Sequence, residues 1–514
     1  MKNRIAIFMT AMVALAGLVI TAGSLLATPQ DEVRVALMYE PSTVNILEMK
    51  TGIDLPVILH LHEALMGTNP ESGERWLTNS LSESIEVLPN NKSIKFRIRK
   101  NAIFHTGDPV TAHDVQFTYE QVAHPKNANL MAGAVDEIEE FEIIDDHNFI
   151  MHLYEPYAGW EELLWIGIAS KKYFEKVGWE RFRKHPVGSG PFKFVERKSG
   201  EYVTLERFDR HPFWRTEFKT LKFLVVPDEV ARLAMLETGE LDLVSDILPH
   251  NVGRLQQNRQ VVVRTESRVP SLYGISVKPD NYPIFKDPNV GFAMRYGINR
   301  QEIIDRVFLG EGYILNNYAS KSELGYDKDI RYEYSLERAR QYLKKSVYKP
   351  GDPVILSYTS AVPNARMIAT MVQRYLIQVG FTIKLQQLEA GVQATYARER
   401  DPREGHMTLY AWGGGRDPSL RLLLSIRSDS IYSAWQNRPS RKELDALVDA
   451  QAKEMNKTKR RKLLQQLHQI LADEPGGVVL FGSNMIYAHS KRIDYRWLPK
   501  TSYTFNLHRI KMAK

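Results

Sequence analysis

The sequence predicts an α/β protein with mixed sheets in more than one lobe. Two observations carry this prediction: helix patterns run directly into strand patterns, and a hairpin pattern occurs near the amino-terminal end. The chain has 514 residues, which at roughly 150 residues per domain is enough for about three domains. Its composition, 43% hydrophobic and 25% charged, is typical of a folded globular chain. It excludes an intrinsically disordered protein and a collagen-like protein.

The clearest helix-to-strand unit begins at Asn364, which can cap a helix. The apolar residues of this helix fall on one face; they are Ile368, Met371, Val372, Tyr375 and Val379. Gly380 can end the helix in a left-handed conformation. Residues 381–385 then alternate between apolar and polar side chains, which predicts a strand.

The same order of signals occurs earlier in the chain. A strand pattern at residues 221–226 is followed by Pro227 and Asp228, a pair that can start a helix. Gly239 can end that helix, and residues 241–244 predict a second strand. Helix and strand therefore alternate here as they do in the later unit.

Two further helix starts follow at residues 287–288 and 299–302, the second with the pattern of a capping box. A hairpin is predicted where strand patterns at 83–88 and 93–99 flank the turn residues 89–92. Helices between strands, together with a hairpin, predict mixed sheets flanked by helices.

Residues 1–27 have the layout of a secretory signal peptide. Lys2 and Arg4 supply a basic start, residues 5–22 are apolar, and small residues continue to Ala27. The alternative is an uncleaved membrane anchor, because the apolar stretch is just long enough to span a bilayer. Both interpretations predict that the rest of the chain is exported.

Composition excludes several functional classes. The chain contains no cysteine, so disulfides, thiolate metal sites, a cysteine nucleophile and a lipid-bearing cysteine are ruled out. Lys plus Arg exceed Asp plus Glu by 68 − 61 = 7. This excess is small and dispersed, so we expect no nucleic-acid partner.

The motifs that would predict catalysis or metal binding are incomplete. Residues 62–66 begin like a zinc-protease helix, but Met66 stands where the second histidine ligand belongs. Residues 188–190 lack the spacing of a nucleophile elbow, and the glycines at 413–415 are not followed by the lysine of a phosphate-binding loop. We therefore expect no enzyme activity, no catalytic residue, no cofactor and no metal site.

Six segments in chain order carry a resemblance to a known family; they are residues 94–115, 186–192, 238–242, 285–290, 409–418 and 444–481. Together they resemble the family 5 extracellular solute-binding proteins, which are the dipeptide, oligopeptide and nickel receptors of ABC importers. In the first segment Thr111 and Asp114 form a capping-box-like pair. We interpret this pair as a mark of the fold that does not touch the ligand.

The resemblance implies a two-lobed periplasmic binding protein type II-like fold with an extra α+β domain and discontinuous lobes. After a signal peptide or anchor at 1–27, lobe I would combine residues 28–60, 186–268 and 483–514, the extra domain II would be 61–185, and lobe III would be 269–482. The ligand is expected between the lobes, which close around it.

The resemblance also implies residues of the ligand cleft. Thr51 lies in the loop after the first strand, Tyr273 at the entry to the second lobe, and Trp412 offers a flat aromatic surface. For Tyr273 and Trp412 the alternative is an ordinary core aromatic. The sequence alone leaves both interpretations open.

The loop after Trp412 bears on the kind of ligand. In peptide-binding relatives an aspartate three residues after this tryptophan holds the ligand's α-ammonium group, whereas this chain has Gly415. Arg416 and Asp417 follow, so a guanidinium could bind a carboxylate or phosphate. Alternatively, Arg416 points to solvent or pairs with Asp417. We expect a ligand other than a simple free-amine dipeptide.

The function implied by the resemblance is that of a periplasmic receptor of an ABC importer. It would capture a peptide-like or other small polar solute by hinge closure and deliver it to the permease subunits in the inner membrane. The alternative is a non-transport sensor or chaperone-like binding protein on the same scaffold. We expect the receptor to be a monomer.

Overall fold

The computed structural model of the protein describes residues 30–68, 75–77, 80–267, 271–413, 417–430, 433, 438–496 and 505–513. The predicted targeting segment, residues 1–27, lies outside these ranges. Within them, every helix is too short or too polar to cross a membrane.

The strands, in chain order, are β1 (Glu32–Leu37), β2 (Gly67–Thr68), β3 (Arg75–Trp76), β4 (Ser82–Val87), β5 (Ser93–Ile98), β6 (Ile138–Ile143), β7 (Asn148–Leu153), β8 (Phe192–Lys198), β9 (Tyr202–Arg207), β10 (Thr220–Val225), β11 (Leu243–Val244), β12 (Val261–Glu266), β13 (Leu272–Val277), β14 (Gly312–Ile314), β15 (Pro353–Thr359), β16 (Thr382–Leu388), β17 (Met407–Trp412), β18 (Gly477–Ser483), β19 (Met485–Ser490), β20 (Ile493–Asp494) and β21 (Lys511–Met512).

The α-helices are α1 (Leu55–Leu61), α2 (Ala112–Ala123), α3 (Ala132–Val135), α4 (Lys171–Val177), α5 (Trp179–Lys184), α6 (Glu229–Glu237), α7 (Val252–Gln257), α8 (Pro288–Gly297), α9 (Arg300–Val307), α10 (Leu336–Lys345), α11 (Ala365–Val379), α12 (Ala390–Glu399), α13 (Ser419–Ser425), α14 (Arg441–Lys453) and α15 (Lys457–Asp473).

Three larger sheets organise these elements and confirm the predicted mixed α/β class. The first sheet has seven strands in the order β12-β19-β11-β1-β10-β9-β8, and the second has six in the order β14-β18-β13-β17-β15-β16. The third has four strands in the order β4-β5-β7-β6, all antiparallel. The first two sheets contain both parallel and antiparallel pairs.

The chain visits the first sheet three times. Its strands come from residues 32–37, 192–266 and 485–490, whereas the second sheet is built from residues 272–483 and the third from residues 82–153. The first sheet is therefore discontinuous in sequence. We call the first sheet with its helices the first body, and the second sheet with its helices the second body. The residue numbers at which we divide the lobes stay predictions.

Each larger sheet carries its own apolar core. In the third sheet Phe96 of β5 stacks on Phe149 of β7, with ring centroids 4.7 Å apart. In the first sheet, Val33 and Val35 of β1 belong to one core and Ala36 to another. Because successive strand residues point to opposite faces, this sheet is buried on both sides.

The helix-to-strand unit predicted at residue 364 is present, but its start differs. Helix α11 begins one residue after Asn364, and Gly380 ends it with a φ of 125° before β16. Asn364 makes no capping hydrogen bond, so the predicted side-chain cap is wrong. Its backbone is left-handed, with a φ of 57°, and a side-chain cap normally requires an extended residue at that position.

The chain crosses between the first and second sheets twice, from β12 to β13 and from β18 to β19. The two crossings are hydrogen-bonded to each other, because the Ser483 amide donates to the Ser271 hydroxyl at 3.3 Å and the two hydroxyls lie 3.2 Å apart. Asn484 also donates through its amide side chain to Glu311 at 2.8 Å. Hydrogen bonds thus link the two bodies where the chain crosses between them.

A further contact joins the third sheet's domain to the helices of the second. Arg460 of α15 binds both carboxylate oxygens of Asp417, at 2.5 and 2.7 Å. The same guanidinium donates to the Ala158 carbonyl at 3.3 Å, and the Ala158 amide donates to the Ala452 carbonyl at 2.6 Å. We call these four residues the domain clasp.

Replacing Arg460 with methionine should destabilise the protein strongly. The Arg460 side chain is only 5% exposed, and its loss leaves the Asp417 carboxylate without its cation. Breaking a buried pair by removing one partner costs about 3–5 kcal/mol. Urea unfolding measures the change. Arg461→Met removes an exposed neighbouring arginine and should change stability by no more than about 0.5 kcal/mol, so equal losses in the two variants would contradict the assignment.

Buried histidines join helix α1, the third sheet's domain and the first sheet. His60 lies with Nδ1 2.7 Å from the Pro56 carbonyl, to which it donates, and its Nε2 accepts from the Leu507 amide at 3.0 Å. His105 lies with Nε2 3.0 Å from the Gly190 carbonyl. Burial lowers the pKa of His60 and His62 to about 4 and that of His105 to about 3.

The free energy of unfolding should therefore fall as the pH is lowered from about 7 to about 5. The native protein keeps these histidines neutral, whereas the unfolded chain protonates them near pH 6.5. Below that pH the unfolded state binds more protons, and each histidine removes up to about 1.4 kcal/mol per pH unit. Urea unfolding at stepped pH tests this. The slope should persist in His250→Gln, which alters an exposed histidine; equal stability at both pH values would refute the expectation.

Candidate ligand site between the two large sheets

The first sheet presents the carboxyl ends of three parallel strands at one edge. Strand β1 pairs in parallel with both β10 and β11, so the residues that follow these strands lie side by side. Crevices outside the carboxyl ends of parallel strands are the usual ligand sites of open α/β sheets. Tyr39, which follows β1, and Asp246, which follows β11, lie at this edge.

The second sheet has a corresponding edge. Strand β15 pairs in parallel with β16 and β17, so Trp412, the last residue of β17, lies at the carboxyl end. Strand β13 runs antiparallel to β17 with Leu272 opposite Trp412 and Tyr273 opposite Ala411. Tyr273 and Trp412, both predicted from the sequence, are therefore brought to the same edge.

The two edges meet where the chain crosses between the sheets. Tyr273 lies just after the first crossing, and the Ile247 amide donates to the carbonyl of Ile486, next to the second. Burial raises the pKa of Tyr273 to about 12, and the nearby charge of Asp246 adds to this effect. Asp246 of the first body and Tyr273 of the second are thus electrostatic neighbours.

Tyr273 is mainly a core residue by its packing. It is 4% exposed, its ring stacks on Phe481 with centroids 5.0 Å apart, and Phe308 meets it edge-on at 5.6 Å. Trp412 is half-buried and packs against the same core. Of the two aromatic candidates, Trp412 offers the larger accessible surface.

Thr51 is exposed at the start of a short 3₁₀ turn, Gly52–Asp54. Its amide donates to the Asp54 carboxylate at 3.2 Å, and the same carboxylate accepts from the Ser42 amide at 2.6 Å and the Lys50 amide at 3.1 Å. One buried carboxylate therefore fixes both ends of the loop after β1, and Thr51 is held on its surface.

Asp417 has a different environment from the one that the sequence suggested. Both of its oxygens are bound by Arg460, and Oδ1 also accepts from the Ser419 amide at 2.9 Å at the start of α13. Gly415 and Arg416 lie outside the described residues. Asp417, which follows them in the sequence, is itself fixed by these hydrogen bonds.

Arg460 and Asp246 were not predicted from the sequence. The basic run at 457–462 predicts a solvated helix start, yet Arg460 is its buried member; its spacing of four residues from Leu464 and seven from Leu467, both buried, is the signal that places it on the inner face. Asp246 follows the predicted strand at 241–244, and a carboxylate at a strand's carboxyl end was the signal available there.

Among the described residues, His, Asp and Glu side chains do not form groups of three or more that could hold a metal ion.

A cavity with a volume of about 40 Å³ lies next to the second sheet, lined in part by Arg295, Asn317 and Tyr410. This volume suits a few waters, and its lining does not include Asp246, Tyr273 or Trp412.

Comparisons with known proteins agree on one family. The family model described as bacterial extracellular solute-binding proteins, family 5 Middle, matches residues 77–433. The glutathione-binding protein GsiB of Salmonella choleraesuis (strain SC-B67) is 22% identical over 503 residues, which cover 95% of this chain and 96% of that protein. The dipeptide-binding protein of Escherichia coli (strain K12) is 24% identical over 455 residues, covering 80% and 82%.

Solved structures show the same fold. The ABC transporter substrate-binding protein CtaP of Listeria monocytogenes superimposes with a TM-score of 0.84 at 21% identity, covering 94% of this chain and 99% of that one. The arrangement of sheets described above is therefore a periplasmic binding protein fold. Because the family model spans more than half of the 514 residues, the chain belongs to family 5 of the bacterial extracellular solute-binding proteins.

Proposed function

We propose that the protein is the periplasmic substrate-binding receptor of an ABC importer, which captures a peptide-like or other small polar solute and delivers it to the membrane permease. The observation that carries this proposal is the meeting of two sheet edges at paired chain crossings. Such a joint lets two bodies move apart and together. A ligand that contacts both bodies only when they are together shifts the population toward closure.

The names of the relatives support the solute class. They include proteins named for binding glutathione and dipeptides. On this basis we infer a small solute with polar groups and one or more peptide-like bonds. The receptor acts by binding alone, as a monomer, with the permease subunits as its partners.

The cleft residues predicted from the sequence take separate roles in this proposal. Trp412 supplies a flat apolar surface for the ligand, Tyr273 supports it from the core, and Thr51 offers a hydroxyl from the loop after β1. Gly415 and Arg416, which lie outside the described residues, are proposed to contribute to ligand binding, and Asp417 next to them in sequence is fixed by its pair with Arg460.

Closure by the native solute tests the proposal. Protein purified from periplasm should carry a small molecule that native mass spectrometry identifies. After that molecule is removed and added back, X-ray scattering should show a smaller radius of gyration with the ligand than without it. Tight binding with an unchanged radius would contradict hinge closure. A simple dipeptide bound through its free α-amine would contradict our expectation about the ligand.

Trp412→Ala should weaken binding of that identified molecule by at least about fivefold, because a lost aromatic contact is worth about 1 kcal/mol. Stability should change less than affinity, since the side chain is only half-buried. Isothermal titration measures the affinity. Trp179→Ala removes a half-buried tryptophan that packs on Phe174 in the third sheet's domain, and its affinity should match the wild type. Equal weakening in both variants would remove Trp412 from the site.

A further inference from the structure

Asp246 stands outside the regular pairing of the first sheet. Val244 of β11 lies opposite Ala488 of β19, and continuing that register would place residue 246 opposite Ile486. Instead the Ile247 amide donates to the Ile486 carbonyl at 3.1 Å, so the chain just after β11 contains one extra residue relative to β19. Extra residues of this kind redirect side chains and are frequent beside functional sites.

The backbone of Asp246 shows the same displacement. Its φ is 55°, in the left-handed region, which aspartate and asparagine tolerate better than other side chains. Left-handed residues that are not glycine cluster at ligand sites because the surrounding structure must hold them there. The left-handed backbone at this position therefore favours Asp or Asn. An ordinary strand end does not require a left-handed residue.

The carboxylate of Asp246 forms no ion pair in the part of the chain that the structure describes, although Arg232 is a neighbouring cation. Its one side-chain hydrogen bond comes from the adjacent Ser245 hydroxyl to Oδ2 at 2.8 Å. The neighbouring cation, Arg232, donates instead to the carbonyls of Val226 and Pro227, at 2.9 and 2.7 Å. Arg232 therefore acts on the Asp246 carboxylate through its charge without forming an ion pair with it, at the edge where the two bodies meet.

Asp242, four residues earlier, is a carboxylate of the same sheet with a structural role. Arg492 donates to both of its oxygens, at 2.9 and 2.7 Å, and the Arg34 amide donates at 2.8 Å. A carboxylate that only maintains the fold is therefore fully partnered here. Burial raises the pKa of Asp246, with Ser245 and then Arg232 acting against it, so its ionised form lacks the stabilisation that Asp242 receives.

We propose that Asp246 binds a positively charged group of the transported solute other than a dipeptide's α-amine, a side-chain ammonium or a guanidinium, at the carboxyl edge of the first sheet. This assignment rests on the proposed receptor function. A cation placed there forms a charge-assisted hydrogen bond in a site that closure shields from water. Asp246 precedes Ile247, whose amide is bonded next to the second chain crossing, so a cation bound there lies near the place where the two bodies meet. The solute class that fits is a peptide-like molecule with a basic group.

The experiment compares wild type with Asp246→Asn and Asp246→Glu, incubated with a periplasmic small-molecule extract. Asparagine keeps the shape and the left-handed backbone but removes the charge, so this variant should fold. Mass spectrometry of retained molecules should show solutes with a basic group on wild type. Asp246→Asn should bind the identified solute at least about tenfold more weakly, and Asp246→Glu should recover part of the loss.

Asp228→Asn is the matched control. Asp228 is exposed after β10 at the same edge and caps α6 through the Ala231 amide, a role that asparagine also fills. This variant should bind as tightly as wild type. Wild type that retains solutes without a basic group, or equal retention by wild type and Asp246→Asn, would overturn the assignment while leaving the receptor function intact. Wild type that retains nothing would overturn the receptor function and the assignment with it.

Discussion

The candidate site depends on the two chain crossings between the first and second sheets. Each sheet has its own core, so neither needs the other to bury its apolar residues. What joins them is covalent chain at two places and the hydrogen bonds between Ser271 and Ser483. Because the crossings begin and end at strand termini, they bring the carboxyl edges of both sheets together. A site made of Asp246, Tyr273 and Trp412 exists only as a consequence of this joint.

Charge distribution separates residues that hold the fold from residues that are free to meet a ligand. Asp242 binds Arg492, and Asp417 binds Arg460. In the second body Arg421 and Glu323 are both buried, and Nη1 of the arginine lies 2.7 Å from Oε1 of the glutamate. Such pairs satisfy charges that burial would otherwise penalise. In each case the partner comes from a different element, so the pairs also fix how the elements pack.

Local signals in the sequence predicted the fold well. Asp228, Asp287 and Asn299 each accept the expected amide hydrogen bond at a helix start, because a cap and its partner lie within three residues of each other. The site was predicted less completely. Arg460 lies 43 residues from Asp417, and the displacement of Asp246 depends on its register with β19. Neither relation leaves a short-range pattern that spacing or composition can reveal.

The domain clasp links the third sheet's domain to any movement of the two bodies about the chain crossings. That domain is attached by chain to the first body on both sides, yet Ala158 contacts Arg460 and Ala452 of the second. If the two bodies separate about the crossings, these contacts must break or the domain must move with the second body. Arg460 also binds Asp417, five residues after Trp412 in the sequence. The position of the extra domain is therefore linked through one guanidinium to Asp417.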